Sequence, residues 1–582
     1  MGAPHDETVV CIDLYRAGEG VLFLSPDTRI HNRAALAERY GQPASVAVAD
    51  LLRAMFTAKG AAMVSELRGA FAFALWDERR AQVFAARDIF GLCPFYYSQR
   101  KNHLVFGVSS RGVRRALGVP TPQDSAMLAQ FISGVFTDAQ ATFFEGVCRL
   151  PCAHWARFAP GTATLHRYWT AQGVTGEVDN GADPVETFRT LFRDSVRRDW
   201  VPGDTALTLS GGLDSSAIID TVFDQSPATT RQPALAMSYA KTEGWTDGPC
   251  IDAVAKSYPL DVSTLPSDGF DPLADMPFWL DVLDGPYLAY GHAVSAQLWK
   301  QTQALGLSRM LSGHGGDEIV SYGLGRVNEL AKAGRWGEVW KNAPAVSAMS
   351  GKGQLAVFSS YLRHNRAYRF VHDKRRAIAR RVRTERKSQD AAPLGSALLS
   401  EDLRASVIGL ETEMAAPYQS ANHTERSVHE TFVGSALQSI ALEVYALCGQ
   451  AVGVRTRMPF YDQDLLEHCL RLPARYKLRD GYSRWVLRQA MSERMPDIVR
   501  RRRDKFDFAP SFIRGLVGDR ERLLRLTDPA HEAIASLVNP EAVNALRDKV
   551  RNEHALSSVE AFALWRIAVL RLWQSRPEAQ PA

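Results

Sequence analysis

Little in this chain points to a membrane, an oxidising compartment or a nucleic acid. No apolar run approaches the roughly 18 residues that a bilayer span needs. The opening Met1-Gly-Ala-Pro-His-Asp-Glu7 has neither the basic nor the apolar region of a secretory signal, nor the Ser or Thr of a myristoylation site. Seven cysteines are scattered along the chain, and although Cys148 and Cys152 are close, no CxxC pairs with a distant CxxC. That excludes a disulfide framework and the usual zinc or sulfur-transfer sites, and points to a reducing, cytoplasmic setting. A formal net charge of +5 is too weak to imply a nucleic-acid partner, and there is no internal repeat. What is present is a chain of 582 residues, too long for one core, so two or more domains are expected.

The most informative stretch is Ser210-Gly211-Gly212-Leu213-Asp214-Ser215-Ser216. It follows the apolar run 205–209 and precedes an amphipathic-looking segment, 216–223, so it reads as strand, tight turn, helix. Two adjacent glycines let backbone N–H groups approach an anion closely, and the helix N-terminus adds its positive dipole end. The serine hydroxyls are further donors, and Asp214 can hold Mg²⁺ beside phosphate. No lysine lies in the loop, so it is not the nucleotide loop ending in Gly-Lys-Ser/Thr. It resembles the pyrophosphate loop of enzymes that cleave ATP between the α and β phosphates; the bland alternative is an ordinary Ser/Gly helix start. A second short strand, 308–312, leads into Gly313-His314-Gly315-Gly316-Asp317-Glu318, where glycines again free the backbone and carboxylates supply hard oxygen ligands. Asp214 and Asp317 are expected to hold Mg²⁺ from opposite lips of one crevice.

The N-terminal third has a different texture. Residues 71–76 and 81–86 read as a β-hairpin about a polar turn, a loop follows from Arg87, and 103–108 is another strand. Helices are expected near 33–40 and 46–58. Turn formers cluster at 173–184, as in a domain linker. Strands at 205–209, 234–239, 260–265 and 308–312 alternate with helical stretches, which predicts a parallel sheet covered on both faces, with ligands at the carboxyl ends of its strands. From about residue 325 onward the chain reads as mainly helical. Eleven Lys/Arg between Arg363 and Lys387 fall on a predicted helix, either a solvated face or a surface for an acidic partner. The run Arg500–Arg503 is expected near the nucleotide crevice.

Arg87-Asp88, Gly91, Pro94 and Tyr96-Tyr97, with 210–216, 312–318 and Met458-Pro-Phe-Tyr-Asp462, resemble the asparagine synthetase family over nearly the whole chain. The resemblance implies an α+β and α/β protein in two parts. Residues 1–172 would form a degenerate Ntn-hydrolase-like (glutaminase-type) domain, followed by a linker over 173–184. Residues 185–582 would form an adenine nucleotide α-hydrolase-like (PP-loop) synthetase domain with a helical C-terminal part. It implies ATP on Ser210, Gly211, Gly212, Asp214, Ser215, Ser216, Ser238, Ser312 and Gly313, with Mg²⁺ on Asp214 and Asp317. In that family one domain releases ammonia from glutamine and the other activates a carboxylate as its acyl-adenylate. The glutaminase nucleophile there is a cysteine that becomes the N-terminal residue, whereas here Gly2 follows Met1 and the first cysteine is Cys11, inside a strand-like run. Glutamine hydrolysis is therefore not expected, unless the true start lies upstream.

Relatives without that cysteine use an amine already on the substrate. His314 stands where β-lactam-forming relatives have a tyrosine and true asparagine synthetases tend to have an acidic residue. A neutral His314 could deprotonate an attacking ammonium with Glu443 orienting it, or only hydrogen-bond nucleotide or backbone. Lys505, in Arg-Asp-Lys-Phe, resembles the family lysine that faces the α-phosphate and the developing oxyanion. The segment 478–488 and the phrase Ser-Gly-His-Gly-Gly-Asp-Glu are most similar to the lasso-peptide cyclases. The implied partner is a precursor peptide, with a leader-binding protein and a leader peptidase as further partners. An ammonia-using asparagine synthetase and a β-lactam-type ligase are the alternatives.

Overall fold

Alternate residues of the run 71–75 face opposite ways, and both ways are apolar, which requires a sheet covered on each face. In the computed structural model, which describes residues 9–14, 20–176, 178, 181–225, 231–242, 244–288, 291–364, 394–410, 423–491, 493–504 and 506–576, that sheet is one half of a sandwich. Its order is β11 (Thr162–Arg167), β10 (His154–Ala159), β6 (Gln82–Arg87), β5 (Ala72–Asp77) and β2 (Val21–Leu24). The second sheet runs β1 (Val9–Asp13), β8 (His103–Gly107), β7 (Tyr96–Arg100) and β9 (Cys148–Arg149). Ala72, Ala74, Val83 and Ala85 point between the sheets, where Phe23, Phe95, Phe106 and Phe158 fill the space. Phe71, Phe73, Leu75 and Phe84 point outward under the helix Val48–Lys59. The other sheet is covered by the helix Ser110–Leu117, giving helix, sheet, sheet, helix, the layering expected of an Ntn-type domain.

The second half is built on a five-stranded sheet in which every pairing is parallel. Its order is β14 (Leu260–Pro266), β13 (Gln232–Ser238), β12 (Thr205–Thr208), β15 (Arg309–Leu311) and β16 (Arg455–Arg457). Successive strands step one way from β12 to β14 and the other way from β15 to β16. The order therefore reverses between β12 and β15, and such a reversal opens a crevice beyond the carboxyl ends of the strands. Both glycine motifs leave the sheet at that point. The strand β16 lies within the stretch expected to be mainly helical; a short hairpin, β17 (Leu478–Arg479) with β18 (Tyr482–Ser483), is a further exception. The helix Leu213–Gln225 is also not amphipathic as expected. Ten of its residues are buried, because it is packed between the sheet and the neighbouring helices Pro184–Asp199 and Asp497–Arg500. The C-terminal helix Ser558–Gln574 starts on a capping box of Ser557 and Glu560 and buries Trp565 and Trp573.

Among the described residues, no single helix is long and apolar enough to cross a membrane. Of the basic stretch from Arg363 to Lys387, only Arg363, at the end of the helix Gln354–His364, is described. The remainder and Lys505 lie outside the described residues.

Candidate active site

The first motif is a turn that only glycine can make at its second position. Gly211 has φ +72°, and a Cβ there would lie 2.7 Å from the Asp247 carbonyl oxygen. Ser210 and Ser215 close the loop: Ser215 Oγ accepts from the Ser210 N–H at 3.2 Å and meets the Ser210 hydroxyl at 2.9 Å. Gly212 donates its N–H to Ser210 Oγ at 3.3 Å. Asp214 lies in the first turn of the helix Leu213–Gln225, and Ser216 is fully buried behind it, its Oγ unpaired.

The glycines of the second motif let the two loops press together. A Cβ on Gly313 would sit 2.8 Å from the Ser215 nitrogen, and one on Gly316 only 2.3 Å from the Asp214 carboxyl carbon. Gly315, at φ +94°, has no room either, because Tyr461 and Phe460 lie against it. Strands β12 and β15 pair directly, Leu207 opposite Leu311, so Asp214 and Asp317 face one another across the crevice. One nitrogen bridges them: Arg484 Nη1 lies 2.6 Å from Asp214 Oδ1 and 2.7 Å from Asp317 Oδ1. Its guanidinium is 5.2 Å from the centre of the Tyr322 ring, and the two carboxylates raise its already high pKa despite burial. Among the described residues no group of three or more metal-ligating side chains converges. Two carboxylates gathered on one cationic nitrogen still fit Mg²⁺, which is typically held by one or two carboxylates plus phosphate oxygens and water. Ser238 ends β13, one strand over from the loop, its carbonyl accepting from Ser267 N–H at 2.8 Å.

His314 stands exposed at the rim with both ring nitrogens engaged. Nδ1 is 2.6 Å from Ser312 Oγ and Nε2 is 2.7 Å from the Tyr445 phenol. Ser295 Oγ donates to the same phenol at 3.3 Å. Burial pushes the Tyr445 pKa up to about 12, so it stays a phenol at neutral pH, and with Ser295 donating to its oxygen its own proton is assigned to Nε2. That network assigns Nδ1–H as the donor to Ser312 and leaves Nε2 as the lone-pair nitrogen.

The pairing expected between His314 and Glu443 is not formed. Glu443 and Tyr445 share the helix Ala436–Ala451, but two residues apart on a helix they point to different sides. Tyr445 meets His314, while Glu443 is buried against the first domain. There Arg87 Nη2 lies 2.8 Å and Arg149 Nε 2.7 Å from its two oxygens, and the Tyr96 phenol donates at 2.9 Å. Burial pushes the Glu443 carboxyl up, but the two guanidiniums outweigh it and hold it below the usual range. Arg87 is aimed by donating to the carbonyls of Gly91, Cys93 and Leu150. Asp88 accepts four backbone N–H groups, from Phe71, Phe90, Leu92 and Cys93. The motif in the first domain thus builds an interface.

Arg502 does reach the crevice, as expected of its cluster. Its Nη1 lies 3.5 Å from the Gly211 carbonyl, and it is ion-paired to Asp247. A groove of about 610 Å³ opens beside it, lined by Trp245, Tyr482, Ile498, Arg501 and Arg503. Nothing in the sequence around Arg484 or Tyr445 gives either residue a role. Only their placement opposite Asp214 and His314 singles them out.

The sequence profile of the asparagine synthase family matches residues 187–575, and that of a glutamine amidotransferase domain matches residues 29–169. "Asparagine synthetase [glutamine-hydrolyzing] 3" of Bacillus subtilis is 34% identical over 157 residues, 27% of this chain and 25% of that protein. "Amidase chry2" of Gibberella zeae is 28% identical over 179 residues, 29% of this chain and 25% of that protein. The aligned segments therefore span about a quarter of these relatives' own lengths. Among solved structures, a glutamine phosphoribosylpyrophosphate amidotransferase from B. subtilis covers 47% of this chain and 64% of its own, at 10% identity and a TM-score of 0.18. With one profile covering more than half of the residues, and both glycine motifs placed on one crevice, this chain belongs to the asparagine synthase family.

Proposed function

We propose that this chain is an ATP-dependent, AMP-forming carbon–nitrogen ligase that closes a macrolactam in a precursor peptide. An Asp or Glu side chain of the peptide attacks the α-phosphate of ATP, giving an acyl-adenylate and pyrophosphate. The peptide's own N-terminal amine then attacks the activated carbonyl, expelling AMP and leaving an isopeptide bond. Ser210, Gly211, Gly212, Ser215 and Ser216 would cradle the phosphates, while Ser238, Ser312 and Gly313 would face the rest of the nucleotide. Asp214 and Asp317 would hold Mg²⁺, which supplies charge neutralisation at the phosphates. His314 Nε2 is the acceptor for the amine proton, and the Tyr445 phenol marks the position that an amine N–H would take as donor. Lys505 is assigned to the α-phosphate and oxyanion by resemblance alone.

The observation that carries the choice of nucleophile is the state of the cysteines. Burial raises the pKa of Cys93, Cys148 and Cys152 in the first domain. Cys11 lies within β1, its backbone paired opposite Val105. A thiolate nucleophile needs its pKa lowered by a base or a cationic neighbour; in these three thiols burial outweighs the nearby Arg29, Arg149 and Arg87, which favours an amine that arrives on the substrate. Where the two domains meet lie two small cavities of about 30 and 40 Å³, lined by Asp27, Arg29, Asp199 and Arg457 in one and by Arg149, Asp284 and Glu443 in the other. The relatives named asparagine synthetase favour a second reading, with free ammonia as the nucleophile. Supplying precursor peptide or aspartate plus ammonia, with ATP in each, tests the two. The first reading expects a peptide lighter by one water, whereas asparagine as the sole product would reject it.

A further inference from the structure

Arg484 touches both proposed metal ligands at once, with the Tyr322 ring beside its guanidinium. Its backbone is left-handed, at φ +51°, between β18 and the helix Trp485–Ala490, a conformation that a long side chain seldom adopts. The residue is 8% exposed, and its Nε is buried without a hydrogen-bond partner. A guanidinium keeps its charge at any working pH, so it cannot vacate the site by losing a proton. A divalent cation arriving between Asp214 and Asp317 would meet a positive nitrogen already in its place. The nitrogen lies between the two carboxylates, so a cation bridging the same oxygens would have to displace it.

We propose that Arg484 is a stand-in cation: it holds Asp214 and Asp317 together in the nucleotide-free enzyme, and it moves onto a phosphate oxygen when Mg²⁺ enters with ATP. The inference rests on the ATP and Mg²⁺ reading above and adds an order of events to it. With only two carboxylates from the protein, the metal needs phosphate oxygens to complete its shell. The same phosphate gives the displaced guanidinium a partner suited to its planar fork. Its buried, unpaired Nε is a donor left over for that contact. Metal and nucleotide would then bind together, each poorly without the other, and Arg484 would be the residue that couples them. Tyr322, packed beside the guanidinium, would limit its movement to a swing within the crevice.

The test uses the full chain, Mn²⁺ followed by its electron paramagnetic resonance signal, and α,β-methylene-ATP as a nucleotide that cannot be cleaved at the reacting bond. In the native protein the nucleotide should raise Mn²⁺ affinity by about tenfold or more, within the usual range for coupled ligands. Arg484→Gln should take up Mn²⁺ without nucleotide, flatten that coupling and bind the nucleotide more weakly. Arg484→Lys keeps the charge and loses the fork. It should still keep Mn²⁺ out in the absence of nucleotide while weakening nucleotide binding. If the native protein binds no nucleotide, the nucleotide reading falls and the proposal with it. If nucleotide binds but native and Arg484→Gln proteins take up Mn²⁺ alike in its absence, only the stand-in role is overturned.

Discussion

His314 sits between two hydroxyls of different character. Ser312 Oγ meets one nitrogen and the Tyr445 phenol the other, which holds the plane of the ring, and the assigned tautomer has Nδ1–H donating to Ser312 and the phenol donating to Nε2. If Nε2 takes the amine proton, His314→Ala should slow ring closure by about 10²–10⁴-fold, the usual range for a lost general base. Exchange of labelled pyrophosphate into ATP should persist in that variant. Tyr445→Phe keeps the tilted ring contact, at 4.5 Å between centroids, but loses the phenol proton, so its effect on closure should be smaller. Equal loss of exchange and closure in His314→Ala would move the residue to nucleotide binding. The carboxylates are a separate case. Asp214→Asn and Asp317→Asn each remove a metal-ligand charge and should nearly abolish both exchange and closure. Gly316→Ala should do the same through shape alone, since its methyl would overlap the Asp214 carboxyl. Retained exchange in Gly316→Ala would contradict the close approach of the two loops.

At the scale of elements, the helix Ala436–Ala451 serves two partners at once, the first domain through Glu443 and the crevice through Tyr445. Glu443→Ala would leave Arg87 and Arg149 buried without their carboxylate, and breaking such a pair typically costs about 3–5 kcal/mol. Denaturant melts should show that loss. The folded-state pKa of Glu443 is depressed, so its contribution is fully present above the ordinary carboxylate pKa and is lost as pH falls through the lower folded value. Stability of the native protein should therefore drop steeply in acid, and Glu443→Gln should lack that component of the drop. A pH profile identical for the two would deny Glu443 this role. The elements themselves were largely legible. The hairpin at 71–86, the strands before each glycine motif and their parallel pairing all follow from local apolar runs and turn residues. The helix after the first motif misled, because its polar Ser215, Ser216, Asp220 and Thr221 suggest an exposed face, yet all four are buried. What could not be read was partnership across long separations. Nothing local says that Glu443 turns to Arg87 and Arg149, or that the phenol two residues later faces His314. Arg484 reaches Asp214 from 270 residues away.

At the scale of the whole molecule, the first domain is tied to the second by polar contacts along its length. Arg68 pairs with Asp464 at 3.0 Å, Arg114 with Asp284 at 2.8 Å, and Trp169 donates to Glu467 at 3.1 Å. A domain anchored in this way, with its Arg87–Tyr97 motif spent on the interface, reads as a buttress for the crevice. Cys11→Ala should accordingly leave ring closure unchanged, and glutamate release from glutamine that this substitution abolishes would overturn the buttress reading. The central claim is that ATP is cleaved to AMP in order to join a side-chain carboxylate to an amine of the same peptide. The most direct measurement follows both halves of that reaction in one incubation with precursor peptide, ATP and Mg²⁺, using chromatography for nucleotides and mass spectrometry for the peptide. AMP and pyrophosphate formed in step with a peptide that has lost one water is the predicted result. ADP and phosphate, or AMP release with no change in the peptide, would contradict it.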